Sequence, residues 1–293
     1  MAKAIPAYHE NLDQFRAAVE FTVASTGYRA ELIEKDYFCS LVLHSFYRQP
    51  ETSVIFKGGT CLTKVHTGFY RLSEDLDFTL PMSEMAKRKV RRDTIQPFKN
   101  HFASIPNEFS VFQVTKPLTG SNESRQYSGE LQYTSIVTGQ MARVVVEVGL
   151  REELLDEVFH GLSQTLLKDP FRNINIIEPF PVKCLTIQEA YAEKLRAALT
   201  RITPAIRDFY DMGNAIKHKQ ISLSDPKLIK LIKRKLSVPG TPAIDLSDRR
   251  MEELQRQLES DLFPMLKTKD FDTSDLHETV KTLRIFSNDH LSV

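Results

Sequence analysis

The stretch IFKGGTCLTKVHTGFYRLSEDLDFTL, Ile55–Leu80, decides the fold. A short apolar run leads into Gly58 and Gly59, and the segment that follows has apolar residues at helical spacing. Glycines lack a Cβ, so backbone amides at such a turn can approach a polyphosphate closely. The two glycines alone favour an ordinary strand-to-helix turn.

The end of the same stretch predicts a half-buried strand with an acidic face. Apolar residues alternate with polar ones from Leu72 to Leu80, which places Asp75 and Asp77 on one side. Their Cα atoms are then separated by roughly 6.5 Å. Two carboxylates at this spacing can bind one Mg²⁺ ion or bridge two. The alternative is an acidic strand that faces solvent.

A third carboxylate is expected if the reaction is phosphoryl transfer with two metal ions. Glu147 is the only acid in the β-branched run ARVVVEVGL, which reads as a strand that can lie beside the acidic one. Its alternative role is that of an exposed strand residue with Arg143 on the same face.

Composition sets wide bounds on function. The chain has 293 residues, 41% of them hydrophobic, and a formal net charge of +1. Its overall electrostatic field therefore does not favour binding to nucleic acid or to a membrane. Its three cysteines are far apart, which argues against disulfides and fits a reducing cytoplasm. No segment has the apolar length of a membrane span, and no Cys or His spacing indicates zinc.

The pattern along the chain predicts an α/β fold with a small mixed sheet flanked by helices, followed by a helical domain. Residues 12–47 read as two helices with a break near Gly27, and strand patterns dominate 107–150, with a loop over KPLTGSNES. We expect a boundary near Pro179 and Pro181, which gives domains 1–180 and 181–293.

Several motifs occur in an order that resembles the AbiEii/AbiGii toxin nucleotidyltransferase family of the DNA polymerase β-like superfamily. They are KGGTCL followed by RLSEDLDFTL, the preceding ELIEKDYFCSLVLHSF, and the later EAYAEKLRAALTR with RDFYDM. The resemblance covers about residue 30 to 215. The superfamily commonly has Asp at its third catalytic position, where this chain has Glu147.

The resemblance implies specific roles. Asp75, Asp77 and Glu147 would bind Mg²⁺ or Mn²⁺, with Glu147 assisting the attacking hydroxyl, and the helical domain would complete the nucleotide cleft. The implied catalytic set adds Lys194 and Asp208. The nucleotide-binding set implied is Lys57, Gly58, Gly59, Thr60, Arg71, Ser73, Lys194 and Asp211.

Helical geometry gives an independent view of Lys194. Ile187, Tyr191, Leu195, Ala198, Leu199 and Ile202 predict one apolar stripe, with Glu189 and Arg196 pointing away from it. Lys194 lies at the edge of this stripe, where it either extends its stem over apolar neighbours or reaches toward phosphate. In the next helix, with Thr203 as the expected N-cap, Asp208 and Asp211 share a face, which could also be a solvated one.

Two basic runs are candidates for RNA contact, KRKVRR at 87–92 and KLIKLIKRK at 227–235. We expect the ammonium groups of the second run to face solvent. Such runs are more often solvated faces than binding sites.

The hypothesis from sequence is an Mg²⁺-dependent nucleotidyltransferase toxin of a toxin–antitoxin or phage-defence system. Its expected partners are an NTP, an RNA acceptor with the tRNA 3′ end first, and a cognate antitoxin. A protein hydroxyl as acceptor, a non-catalytic nucleotide-binding module and a helical adaptor remain as alternatives.

Overall fold

A computed structural model describes residues 7–49, 52–268 and 271–291 of the chain. The protein divides into two compact units, Met1–Leu185 and Thr186–Val293. The first contains a mixed sheet and its helices, and the second is helical in its described residues.

Two helices open the first unit, α1 (Leu12–Thr26) and α2 (Ala30–Arg48). Gly27 ends α1 in the left-handed conformation with φ of 78°, and its N–H donates to the Val23 carbonyl. The predicted break is therefore confirmed. Helix α2 is buried along most of its length and packs against the sheet.

The chain then forms β1 (Ile55–Lys57), the short helix α3 (Gly58–Cys61) with a π-helical turn over Leu62–His66, and β2 (Asp75–Thr79). Helix α4 (Arg88–Glu108) comes next along the chain. It is followed by β3 (Gln113–Ser121), β4 (Gln126–Thr134), β5 (Met141–Gly149), β6 (Phe159–Ser163) and β7 (Phe180–Cys184).

The strands form one seven-stranded sheet in the order β3-β4-β5-β2-β1-β7-β6. The pairs β2–β5 and β1–β7 are parallel, and the other neighbours are antiparallel. Aromatic rings of Phe46, Phe56, Phe78 and Phe98 pack together on one face, with centroid separations of 4.5–5.7 Å. The mixed α/β class predicted from sequence is confirmed.

The loop expected over KPLTGSNES is wrong for its first six residues. Residues Lys116–Ser121 belong to β3, which is an edge strand with register shifts on both sides of Lys116. Edge strands tolerate proline because one side of the backbone needs no ladder partner, so Pro117 does not end the strand.

The second unit contains α5 (Ile187–Thr200), α6 (Ile206–Lys217), α7 (Pro226–Leu236), α8 (Asp248–Gln257) and α9 (Thr273–His290). The first unit ends after Leu185 rather than at residue 180, because Phe180–Cys184 is a strand of its sheet. Among the described residues, no helix combines the length and apolarity needed to cross a bilayer.

Candidate active site

Strand β2 presents the acidic face that its alternating pattern predicts. Leu76 and Phe78 are fully buried in the sheet core, while Asp75 and Asp77 are half-buried on the opposite face. The pleat of the strand therefore holds both carboxylates on one side, and the apolar residues fix that orientation.

Glu147 lies directly beside this pair. In the parallel pairing of β2 with β5, Glu147 is the register partner of Asp77. Directly opposed residues of neighbouring strands point to the same face, so Glu147 is a third carboxylate on the acidic face. Arg143, its possible partner by sequence, forms an ion pair with Glu130 at 3.0 Å instead.

The glycine turn packs onto the same acidic residue. Gly58 has φ of 76°, and a Cβ added there would lie 2.1 Å from Asp77 Oδ2. A Cβ on Gly59 would lie 2.6 Å from Arg71 Nη2 and 3.0 Å from Ser73 Oγ. Neighbouring side chains therefore leave no room for a Cβ at either position. At Gly58 the positive φ favours glycine as well.

Hydrogen bonds from other side chains hold the glycine turn in place. The Thr60 hydroxyl donates to the Asp75 carbonyl at 2.5 Å, which ties the helix after the turn to the acidic strand. Arg71 is 1% exposed, and its Nη1 donates to the Leu72 carbonyl at 2.8 Å. The structure thus gathers the first-unit residues of the implied nucleotide site around one turn: Lys57, Gly58, Gly59, Thr60, Arg71 and Ser73.

The donor set fits a hard divalent cation. Three carboxylates converge from two neighbouring strands, and oxygen ligands of this type suit Mg²⁺ or Mn²⁺. Like charges so close repel one another, so a bound cation would relieve the repulsion.

The second unit contains a charged cluster of its own. Lys194 Nζ on α5 lies 2.8 Å from Asp208 Oδ1 and 3.0 Å from Asp211 Oδ2 on α6. Asp211 is fully buried, so the solvated-face alternative is wrong for it. Lys194 is 15% exposed and binds these two carboxylates rather than only extending over apolar neighbours.

Sequence reasoning missed Arg201 in this cluster. Its Nη1 lies 3.2 Å from Asp208 Oδ2, an ion pair whose geometry is not that of a hydrogen bond. Arg201 follows Lys194 by seven residues, or two helical turns, so helical spacing could have indicated that both reach the same partner.

Three expectations for α5 and α6 are wrong. Glu189 is fully buried and forms an ion pair with Lys235 of α7 at 2.8 Å, and Arg196 is only 8% exposed. Ile202 lies beyond the end of α5 and is 84% exposed, so it is not part of the apolar stripe. The N-cap of α6 is Ala205 rather than Thr203, without a side-chain cap.

The basic runs are each divided between surface and interior. Arg91 is buried and donates to the carbonyls of Leu150 and Glu84, while most of its charged neighbours are exposed. On α7, Lys235 is 1% exposed, against the expectation that the ammonium groups of this run face solvent. Its exposed cations are Lys227, Lys230, Lys233 and Arg234.

A family model described as "Nucleotidyl transferase AbiEii toxin, Type IV TA system" matches residues 45–283. The chain belongs to the AbiEii nucleotidyl transferase toxin family. The resemblance inferred from its motifs is therefore confirmed, and so is its class as a nucleotidyltransferase. Nucleotidyltransferases of this family generally use an NTP and a divalent metal, and a type IV toxin–antitoxin system implies an antitoxin.

Solved structures show the same fold as this AbiEii family member. One, described as "putative nucleotidyltransferase from H. pylori", has a TM-score of 0.54 at 15% identity, covering 90% of this chain and 97% of that chain. A second, JHP933 from Helicobacter pylori, has a TM-score of 0.53 at 15% identity, covering 90% of this chain and 95% of that chain. No curated protein matches the chain.

Proposed function

We propose that this nucleotidyltransferase transfers NMP from an NTP to an RNA acceptor, with the tRNA 3′ end as the first candidate. The observation that carries the proposal is that Glu147 is the register partner of Asp77, whose carboxylate closely approaches Gly58. Three carboxylates beside a glycine turn support this proposal, because such a turn can admit phosphates close to its backbone amides.

In the proposed reaction an acceptor hydroxyl attacks the α-phosphorus, its proton passes to a carboxylate, and the bond to pyrophosphate breaks. A divalent cation, with Mg²⁺ preferred over Mn²⁺, neutralises charge on the phosphoryl oxygens when bound. Asp75 and Asp77 would hold that cation, and Glu147 would be both a ligand and the acceptor of the hydroxyl proton.

The remaining residues bind and orient the nucleotide in this proposal. Gly58 and Gly59 admit the phosphates to the turn that Thr60, Arg71 and Ser73 shape, and Lys57 adds positive charge beside Asp77. Lys194 would contribute charge for the triphosphate, with Asp208 and Asp211 fixing its ammonium group.

The choice of RNA rests on local charge. With a net charge of +1, guidance of a polyanion must come from patches, and α7 presents Lys227, Lys230, Lys233 and Arg234 to solvent. An RNA end has a run of phosphates that such a patch can contact, whereas a protein hydroxyl needs little electrostatic guidance.

The test uses NTPs labelled at the α- or γ-phosphate, incubated with the protein and total RNA plus total protein, with and without Mg²⁺. We expect α-label, but not γ-label, to enter material that RNase destroys and protease leaves intact. Asp77→Asn serves as the inactive control. Label that resists RNase and disappears with protease would make a protein the acceptor. Absence of transfer together with retained NTP binding would favour a non-catalytic module.

A further inference from the structure

Besides the three carboxylates, the first unit contains a second set of metal-ligating side chains. Among the residues that the structure describes, one group of three such side chains has its ligand atoms all within 4.8 Å of one another. It consists of Cys61, His66 and Cys184. The third cysteine, Cys39, is buried elsewhere and donates to the Glu74 carbonyl at 3.5 Å.

The fold, rather than the sequence spacing, brings the three together. Cys61 is the last residue of α3, and His66 ends the π-helical turn that follows. Cys184 ends β7 and is the register partner of Phe56 in β1, the strand that leads into the glycine turn. A separation of 118 residues between His66 and Cys184 explains why no motif indicated zinc.

The distances suit a tetrahedral ion. Zinc bonds of about 2.3 Å to sulfur and 2.0–2.1 Å to nitrogen place neighbouring ligands about 3.6 Å apart. Cys184 Sγ lies 3.8 Å from His66 Nε2. Both sulfurs are buried and His66 is half-buried, so the fourth position can be filled by water from the side of the imidazole.

We propose that Cys61, His66 and Cys184 form a binding site for one zinc ion that fixes the helix after the glycine turn to β7. The donor set of two thiolates and one imidazole favours zinc over the hard cations that suit the carboxylate site. The ion would join α3 to β7, the strand next to β1, so it would brace the helix that follows the glycine turn.

Binding changes the hydrogen bonding of His66. Its Nε2 lies 2.9 Å from the Leu185 carbonyl, so the metal-free imidazole donates its proton there. Zinc binding at Nε2 transfers the ring proton to Nδ1 and exchanges this hydrogen bond for the metal bond, and both cysteines lose their protons to solvent. The Phe159 ring, 5.3 Å from the imidazole between centroids, keeps the ring in place.

The full chain, purified under reducing conditions without chelator, tests the proposal. We expect about one zinc per chain by elemental analysis and, after exchange with cobalt, the intense visible bands of tetrahedral thiolate coordination. Added zinc should raise the thermal midpoint of the metal-free protein. Cys184→Ser should abolish all three signals, and Cys39→Ser, the matched control, should keep them.

A second variant guards against misfolding. If Cys184→Ser does not give a native circular dichroism spectrum, His66→Gln removes one ligand at a half-buried position and should weaken zinc binding at least tenfold. Asp77→Asn should keep the thiolate bands, which separates this site from the carboxylate site. Folded wild-type protein without zinc or thiolate–cobalt bands would overturn the proposal. So would a mass lower by two hydrogens, which would indicate a disulfide between Cys61 and Cys184.

Discussion

Asp77 and Asp211 are both aspartates of the predicted site, but the chain surrounds them in opposite ways. Asp77 is half-buried, and its register partner on β5 is another acid, Glu147. Asp211 is fully buried with the Lys194 ammonium 3.0 Å away. The first arrangement groups carboxylates that can bind a further, divalent cation, whereas the second pairs a buried carboxylate with a lysine of the same unit.

The same contrast exists within one helix. Lys235 of α7 is buried against Glu189 and Glu193, at 2.8 and 3.2 Å, while Lys230 and Lys233 are exposed. Lysines of the same run therefore have different roles. Those on the buried face of the helix form ion pairs in the interior, and those on the other face are exposed to solvent. Burial and partners, rather than residue type, separate the two roles.

The largest effect is expected at the acidic face. Asp77→Asn removes one carboxylate from a set that acts together, so transfer activity should fall at least about a thousandfold. The protein should stay folded, because Asn keeps the size of the side chain at this half-buried position. The measurement is α-labelled NTP incorporation alongside thermal unfolding. Activity within tenfold of the wild-type value would mean that Asp77 is not part of the active site.

A buried cation should behave in the opposite way. Lys235→Met leaves Glu189 buried without its ammonium partner, and we expect a loss of about 3–5 kcal/mol in the free energy of unfolding. The matched change on the exposed face, Lys233→Met, should cost less than about 0.5 kcal/mol. Denaturant titration measures both. Equal stability of the two variants would contradict the contrast between the faces of α7.

Lys194→Met tests the intermediate case, since Lys194 is paired but not fully enclosed. We expect the KM for NTP to rise and kcat/KM to fall by about a hundredfold, together with a loss of stability because Asp211 remains buried. The assay is run well below the thermal midpoint of the variant. Lost stability with unchanged kcat/KM would make Lys194 a structural residue like Lys235.

The glycine turn should give a smaller effect. Gly58→Ala places a Cβ against the Asp77 carboxylate at positive φ, so we expect a cost of about 1–3 kcal/mol and weaker NTP binding. Gly139→Ala is the matched control, because Gly139 has φ of 72° but nothing within 4 Å of an added Cβ. NTP affinity should fall in the Gly58→Ala variant only. A similar fall in both variants would mean that backbone strain, rather than contact with Asp77, causes the loss.

The smallest effect concerns the exposed face of α7. Reversing the charge of Lys230, Lys233 and Arg234 should weaken RNA binding and lower the slope of log affinity against log salt concentration by about three. NTP binding should remain the same. An unchanged salt slope would exclude this face from RNA contact.

The sequence predicted the elements whose patterns are local. Alternation in β2 placed Asp75 and Asp77 on one face, and the break predicted near Gly27 marked the end of α1. It also identified Glu147 as the acid of a strand that can lie beside β2, which the register confirms.

What the sequence could not show depends on distant partners. Glu189 appeared to point away from its helix's apolar stripe because its partner Lys235 lies 46 residues later. Strands β6 and β7 were missed because they are short, and Pro181 and Gly161 interrupt their patterns. The convergence of Cys61 with Cys184 likewise requires the β1–β7 pairing.

The parallel pairing of β2 with β5 also limits which changes of length this protein can accept. Glu34 of α2 accepts hydrogen bonds from Ile136 N at 2.7 Å and from the Ser135 hydroxyl, so the turn that leads into β5 is held at its start. Deletion of a single codon between Met141 and Val146 would bring Val148 opposite Asp77 and turn Glu147 toward the core. In related chains we therefore expect insertions and deletions to lie outside this segment, even where the residues within it are substituted.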